Sequence, residues 1–445
     1  MVDLNNPYPA VAGVPWRRPE DIESSIPARF ERVAASQPDA AAVIAGATSL
    51  TYATLNWAAN RLAHELLSDH GPLFDQGVGF LFKHGAAQII AMVGILKAGG
   101  YYVPIDLMLP EVMNREILAD AQVRLLVTDA EHLDLAAALA PVGARIINLS
   151  TLRPALPETN PGLTIGPDHL ANLHYTSGST GKPKGVMQNH RNLLHFMDTI
   201  AAAWPLRGAD RIAHLISCSF SAAMMPIWGA LLNGAAVAPC DPRQVGAAGL
   251  LDWLQEERIT IYFSVPTLYR RLVERLAQAG AGLPDLRLVI LGGEPLLAAD
   301  VESFWRTFTN GCRLLNIYAG AEMHYVCQHA LDHDTPLAGP TAPIGFAVEG
   351  KQILLLDADH RPVGLDEVGE IAVRSRYLTS GYLNQPELTA TSFLPDPEGG
   401  DRRIYLTGDL GRLDADGRFV HMGRRNAMVK VRGQRVELGA VEHAL

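Results

Sequence analysis

Residues Tyr175–Val186 read YTSGSTGKPKGV: three glycines, four Ser/Thr hydroxyls and two lysines within twelve positions. Glycines let backbone N–H groups turn toward an anion, hydroxyls add donors and lysines add charge, which are the ingredients of a phosphate-binding loop. The spacing separates this loop from a Walker loop, which needs a glycine, four residues and then Gly-Lys-Ser/Thr at the mouth of a helix. Here Gly181-Lys182 is followed by Pro183, with Lys184 and Gly185 behind it. The flanks, HLANLHYTS before and GVMQNH after, read as short extended segments, so the loop is expected to join two strands instead of opening a helix. A flexible surface loop is the ordinary meaning of Gly/Ser-rich sequence. Two lysines set among so many small residues argue for phosphate.

Outward from the loop, helix-like and strand-like stretches alternate. Before it, IPARFERVAASQP and TYATLNWAANRLAHELLSDHG carry helical periodicity, whereas VGFLF, YYVPI and RLLVTD are short apolar runs. After it, LLDWLQEER precedes ITIYFSVPT, and LYRRLVERLAQAG precedes LRLVILGGE. This is α/β layering with mainly parallel sheets. Beyond Gly345 the helical pattern fades, and KQILLLDADHRPVGLDEVGEIAVRS alternates apolar and polar residues between turns, as a small β-rich, barrel-like unit would. The expected division is 1–165 and 166–343 as two α/β units, 344–425 as the β-rich unit, and 426–445 as the start of a further one. That start reads as a strand AMVKV, a turn at Arg432-Gly433 and a helix opening at VELGAVEHAL, a helix too short to bury its own face, so the sequence is expected to be truncated.

Composition narrows the class. The 445 residues exceed one compact core, and a net charge of −10 argues against nucleic acid as a partner. Cys218, Cys240, Cys312 and Cys327 have no CxxC spacing and lie in or near apolar runs, so free thiols in a reducing compartment are expected, not disulfides or zinc. The N-terminus lacks the basic and apolar regions of a signal peptide, and the longest apolar stretch is broken by Lys97 and Gly99-Gly100. The expectation is a cytosolic protein with no membrane partner.

In order and spacing, YTSGSTGKPKGV, NIYAGAEM, SGYLNQPELTATSF, YLTGDLGRLDADG and GRRNAMVKVRGQRVELGAVE resemble the adenylate-forming superfamily, most closely the adenylation domains of nonribosomal peptide synthetases. The resemblance runs from Ile22 to Leu445. It implies use of ATP and Mg2+ to turn a carboxylate into an acyl-adenylate, which then passes to the phosphopantetheine thiol of a carrier protein. A small MbtH-like accessory protein is a further implied partner.

By the same resemblance, Thr176, Ser177, Ser179, Thr180, Lys182 and Lys184, with Gly178 and Gly181 shaping the loop, contact ATP's phosphates, where negative charge develops. Glu322 takes the position of the magnesium ligand, and Thr176, Lys182 and Glu322 form the catalytic set. Asp409 matches a ribose-binding carboxylate, Arg424 a second nucleotide contact, and Tyr318 the ring lying against adenine. The chain departs from the family pattern at Ala321, where a phosphate-contacting Thr is usual, and at the hinge, where Asn426 replaces Asp. The family's catalytic lysine belongs to a small C-terminal domain beyond Leu445, so this length of chain is expected to turn over weakly.

The acyl pocket departs further. Family members that activate amino acids pair the substrate's α-ammonium with the Asp of an SFD segment; here the segment is SFSAAMMPIWGALLNGA and Ser221 stands in its place. A buried ammonium without a carboxylate is costly, so an acid lacking the α-amine is implied. The other matched positions are Ala222, Met225, Phe263, Ile290, Gly292, Ile317, Tyr325 and Val326, which point to an aliphatic or aryl tail. The alternatives are a free-standing acyl- or aryl-CoA ligase, whose motifs overlap these, and a catalytically degenerate nucleotide-binding module, which Ala321 and Asn426 favour and Glu322 and Asp409 oppose.

Overall fold

In the computed structural model, which describes residues 19–177, 183–308, 311–332, 335, 337, 339–425, 428–431 and 434–437, the flanks of the glycine-rich loop are strands. Leu170–Ser177 and Pro183–Asn189 pair antiparallel from Leu170↔Asn189 to Ser177↔Pro183. The next helix, His190–Ala203, starts only after the second strand, with the Asn189 side chain accepting from Asn192 N as its cap.

This hairpin extends a parallel sheet. Tyr101–Pro104, Gly77–Leu81, Leu125–Thr128 and Arg145–Asn148 run parallel, and the hairpin and Gly381–Tyr382 complete seven strands. A second sheet has nine strands, its parallel centre formed by Arg211–His214, Ala236–Pro239, Ile261–Ser264, Leu288–Gly292 and Arg313–Gly320. Central strands such as Gly77–Leu81 and Leu288–Gly292 are buried along their whole length, which is why they read as unbroken apolar runs. The sheets interleave along the chain instead of changing over near residue 165. Ala41–Val43 pairs with Ala236–Pro239 of the second sheet, while the hairpin 170–189 belongs to the first.

Helices from both segments fill the layer between the sheets: Phe30, Leu62, Ile89, Phe196 and Trp228 belong to one buried cluster. Arg29 lies inside it at 0% exposure and is tolerated because each guanidinium nitrogen is bonded, to Leu232 O, Asp198 Oδ1 and Asn233 Oδ1.

The β-rich unit is antiparallel: Gln352–Leu356, Gly369–Ser375, Arg403–Leu413 and Phe393–Pro395, with Phe419–Arg424 on Arg403–Leu413. Val186, Tyr318, Met323, Ile371, Tyr382 and Tyr405 share one apolar cluster, so all three sheets close around one point. At the end of the chain Met428–Val431 and Gln434–Glu437 form a hairpin. Val436 and Glu437 are therefore extended, not the opening of a helix, because they pair with Val429 and Met428. All four cysteines are free thiols, with Cys312 the only one partly exposed. Among the described residues no helix is long and apolar enough to cross a membrane.

Candidate active site

The point where the sheets close is the turn between Arg313–Gly320 and His324–Leu331, with Glu322 at its tip. The turn is held from two sides. Gln188 Nε2, on the loop hairpin, donates to Ala321 O at 3.1 Å, and Thr379 donates to Glu322 O through its N–H at 3.2 Å and its hydroxyl at 3.1 Å. The Glu322 side chain is buried, and its Oε1 accepts from Tyr382 Oη at 3.2 Å.

Tyr382 was not among the residues picked out by sequence, although it lies inside SGYLNQPELTATSF. Gly381–Tyr382 pairs with Met187 and Val186, adding an edge strand to the loop hairpin and bringing the phenol to Glu322. Gly381 sits at φ +126°, and a Cβ there would come 2.4 Å from Thr389 Cγ2, so only glycine fits. Thr389 in turn accepts from Tyr382 N at 3.0 Å.

On the hairpin itself Thr176 stands opposite Lys184, whose Nζ lies 5.5 Å from the centre of the Tyr382 ring. Thr176 Oγ1 is buried with no hydrogen-bond partner among the described residues. Leaving such a hydroxyl unpaired costs about 1–3 kcal/mol, and a ligand oxygen would satisfy it. Gly178, Ser179, Thr180, Gly181, Lys182, the Ser177 side chain and Asn426, the expected hinge, lie outside the described residues.

Asp409, Arg424 and Tyr318, chosen from three separate motifs, converge. Asp409 and Arg424 are cross-strand partners, with Arg424 Nε 2.7 Å from Asp409 Oδ1. Tyr318 Oη donates to Asp409 Oδ2 at 2.6 Å, and His421 Nε2, unmarked in the sequence, is 3.8 Å from Oδ1. Burial alone would raise the Asp409 pKa, but His421, Arg424 and the Tyr318 hydroxyl outweigh it and hold the carboxyl well below the usual range. Burial, and then Asp409, push the Tyr318 phenol well above its ordinary value, so it remains a donor.

These residues fit a nucleotide and a hard cation. Among the described residues no group of three or more His, Cys, Asp or Glu could hold a metal. Glu322 is then a lone carboxylate donor, which suits Mg2+, a cation that keeps waters and takes phosphate oxygens beside one or two carboxylates.

On the other side of the turn opens a cleft of about 280 Å³. Ser221, Ala222, Met225, Phe263, Gly292 and Ile317 line it. A Cβ on Gly292 would lie 2.5 Å from Ile317 Cγ1, so the strands can approach this closely only with glycine there. Ile290, Tyr325 and Val326 do not line the cleft: Ile290 and Val326 are fully buried in core clusters, and the Tyr325 hydroxyl donates to Gln328 Oε1 at 2.9 Å. A register shift after Tyr318 pairs Ala319 with Tyr325 and Gly320 with His324, and His324 is the residue that reaches the cleft. Its ring stacks on Phe196 at 4.9 Å. Burial first, then Lys351, His195 and His174, lower its pKa well below the ordinary histidine value, so the ring is neutral. No carboxylate is among the described lining residues.

The family model for the AMP-binding enzyme matches residues 30–383. Chondramide synthase cmdD of Chondromyces crocatus is 37% identical over 431 residues, 94% of this chain and 11% of that protein. Malpinin synthetase of Mortierella alpina is 35% identical over 424 residues, 94% of this chain and 5% of that one. The chain thus spans a small part of these relatives. Among solved structures, the AMPPNP-bound form of the nonribosomal peptide synthetase FmoA3 superposes with a TM-score of 0.83 at 29% identity, covering 93% of this chain and 43% of that one.

Proposed function

Because the chain belongs to the AMP-binding enzyme family, we propose that it activates a carboxylic acid lacking an α-amino group as its acyl-adenylate, for transfer to the phosphopantetheine thiol of a carrier protein. The observation that carries this reading is the pairing of a prebuilt Tyr318–Asp409–Arg424 cluster with a cleft that has no carboxylate among its described lining residues. ATP, when bound, supplies a phosphoanhydride whose cleavage gives the acid a good leaving group.

The chain's residues bind, orient and neutralise. Asp409, ionised at neutral pH, offers acceptor oxygens to ribose hydroxyls, and Arg424 and Tyr318 hold it in one orientation. Thr176 Oγ1 and Lys184 face phosphate oxygens from the loop hairpin, and Glu322 supplies the hard oxygen for Mg2+. Tyr382 positions Glu322 and Lys184 together, since its hydroxyl bonds the one and its ring lies against the other. Ala321 adds no hydroxyl where the family pattern has one, so phosphate contact falls to the loop. In the cleft, Ser221 leaves an ammonium uncompensated, and a neutral acid avoids that cost.

The test is acid-dependent exchange of pyrophosphate into ATP, followed by transfer to a phosphopantetheinylated carrier protein or to coenzyme A. Exchange that requires an acid, with transfer to the carrier preferred, supports the reading. Transfer to coenzyme A alone makes the chain a CoA ligase, and failure of every acid to support exchange makes it a nucleotide-binding module.

A further inference from the structure

We propose that His324 is a specificity-determining residue of the cleft, and that the acid it selects carries a hydroxyl group on its acyl chain. The inference rests on the adenylation reading and narrows its substrate class.

His324 is 2% exposed and lines the cleft, and its Nε2 is buried without a hydrogen-bond partner among the described residues. Apart from Ser221, the cleft's other polar side chains are already engaged. Ser217 Oγ donates to Asp106 Oδ2 at 2.9 Å, Ser264 Oγ to Val265 O at 3.0 Å, and Arg243 forms a two-point pair with Asp241 at 2.9 Å for each contact. An imidazole serving only to fill space beside Phe196 would be better replaced by an apolar ring, since an unpaired buried nitrogen is destabilising. The backbone adds a second cost. His324 sits at φ +56°, a left-handed conformation that non-glycine residues rarely adopt. Both costs are explained if a ligand group completes the site.

The chemistry of that group follows from what surrounds it. With no carboxylate among the described lining residues, an ammonium would be buried without compensation, and with Arg243 held by Asp241 a second carboxylate on the acid would meet a guanidinium already neutralised. A hydroxyl is neutral and both donates and accepts, so it pairs with the ring in either tautomer.

The experiment compares acids that differ by one hydroxyl, in pyrophosphate exchange: 4-methylpentanoate against its 2-hydroxy and 3-hydroxy derivatives, and 3-phenylpropanoate against its 2-hydroxy and 3-hydroxy derivatives. At least one hydroxy acid is expected to exceed its parent acid about tenfold or more in kcat/KM. His324→Gly, which suits the left-handed backbone and removes the nitrogen, should bring that ratio to within about twofold of unity, whereas His324→Asn, which tolerates the same backbone and keeps a donor and an acceptor, should retain a preference for the hydroxy acid. Equal or better use of the unsubstituted acid in every pair overturns the proposal, as does a ratio that survives in His324→Gly. Exchange with unsubstituted acids but no hydroxyl preference removes this inference and leaves the adenylation reading standing; failure of every acid to support exchange removes both.

Discussion

The two sides of the Ala321–Met323 turn are built on opposite terms. On the nucleotide side, Asp409 and Arg424 hold each other across paired strands and Tyr318 completes the cluster, so charge and orientation are in place before any ligand arrives. On the acyl side the lining is apolar, no carboxylate contributes among the described residues, and His324, next to the turn, keeps a buried nitrogen unpaired among them. The contrast separates two tasks. A ligand used in every turnover can be met by a rigid ionic cluster. The acid has to be told from other acids, and shape with a few neutral donors does that.

Four substitutions would break or sharpen this contrast. The largest effect is expected from Asp409→Ala, which removes the carboxylate that both Arg424 and Tyr318 bond. Two ribose hydroxyls each losing a charged acceptor forfeit about 1.5–3 kcal/mol apiece, so kcat/KM for ATP should fall roughly 10²–10⁴-fold. An ATP saturation curve unchanged within about twofold would remove the ribose assignment. Next, Ser221→Asp puts a carboxylate into the cleft, and the ratio of neutral acid to matching amino acid in exchange should move about 10²-fold toward the amino acid. A ratio that stays put would mean that Ser221 does not face the substrate's α-position.

Glu322→Gln keeps the shape of the turn and removes one negative charge. The Mg2+ concentration for half-maximal exchange should rise about tenfold, the size of one lost charge-assisted contact, with little change in ATP affinity at saturating Mg2+. Overlaying magnesium titrations would place the cation elsewhere.

The last effect falls on stability and not on activity, and concerns Lys351, which stands close to His324 and is bonded through Nζ to Tyr377 O at 3.0 Å. Burial lowers its pKa from 10.5 to about 7. Below pH 7 the lysine is charged in both folded and unfolded chains, and the burial penalty is fully present. From pH 7 to 10.5 the unfolded chain binds a proton that the folded chain does not, so stability rises with pH, by at most about 1.4 kcal/mol per unit. Lys351→Met lacks this dependence, and its stability advantage over the parent in urea unfolding should be greater at pH 6.5 than at pH 9. Parallel curves for the two proteins would show that the ammonium is not desolvated.

The same contrast explains what the sequence made legible. The strands around the glycine-rich loop were readable because periodicity and turn residues are local properties. Asp409, Arg424 and Tyr318 were readable singly from their motifs, but that they form one cluster depends on the pairing of Asp409 with Arg424, which spacing along the chain does not show. Which sheet a strand joins is equally non-local: three residues at Ala41–Val43 carry no mark of a partner near residue 237. In the cleft the limit was register. Matching the family pattern points to Tyr325 and Val326, whereas the irregular pairing after Tyr318 sets Gly320 opposite His324, and His324 lines the cleft. Tyr382 lies within SGYLNQPELTATSF, but its role appears only when Gly381–Tyr382 joins the edge of the loop hairpin.

The most direct test of acid activation at this site is to incubate the protein with ATP, Mg2+ and an equimolar mixture of carboxylic acids and their α-amino counterparts, and to identify by mass spectrometry every acyl-AMP that forms. The predicted product joins AMP to an acid without an α-amine, forms only when ATP and Mg2+ are both present, and is absent with the Asp409→Ala protein. A dominant aminoacyl-AMP, or no adenylate from any acid in the mixture, would contradict the adenylation of an α-amine-free acid by this chain.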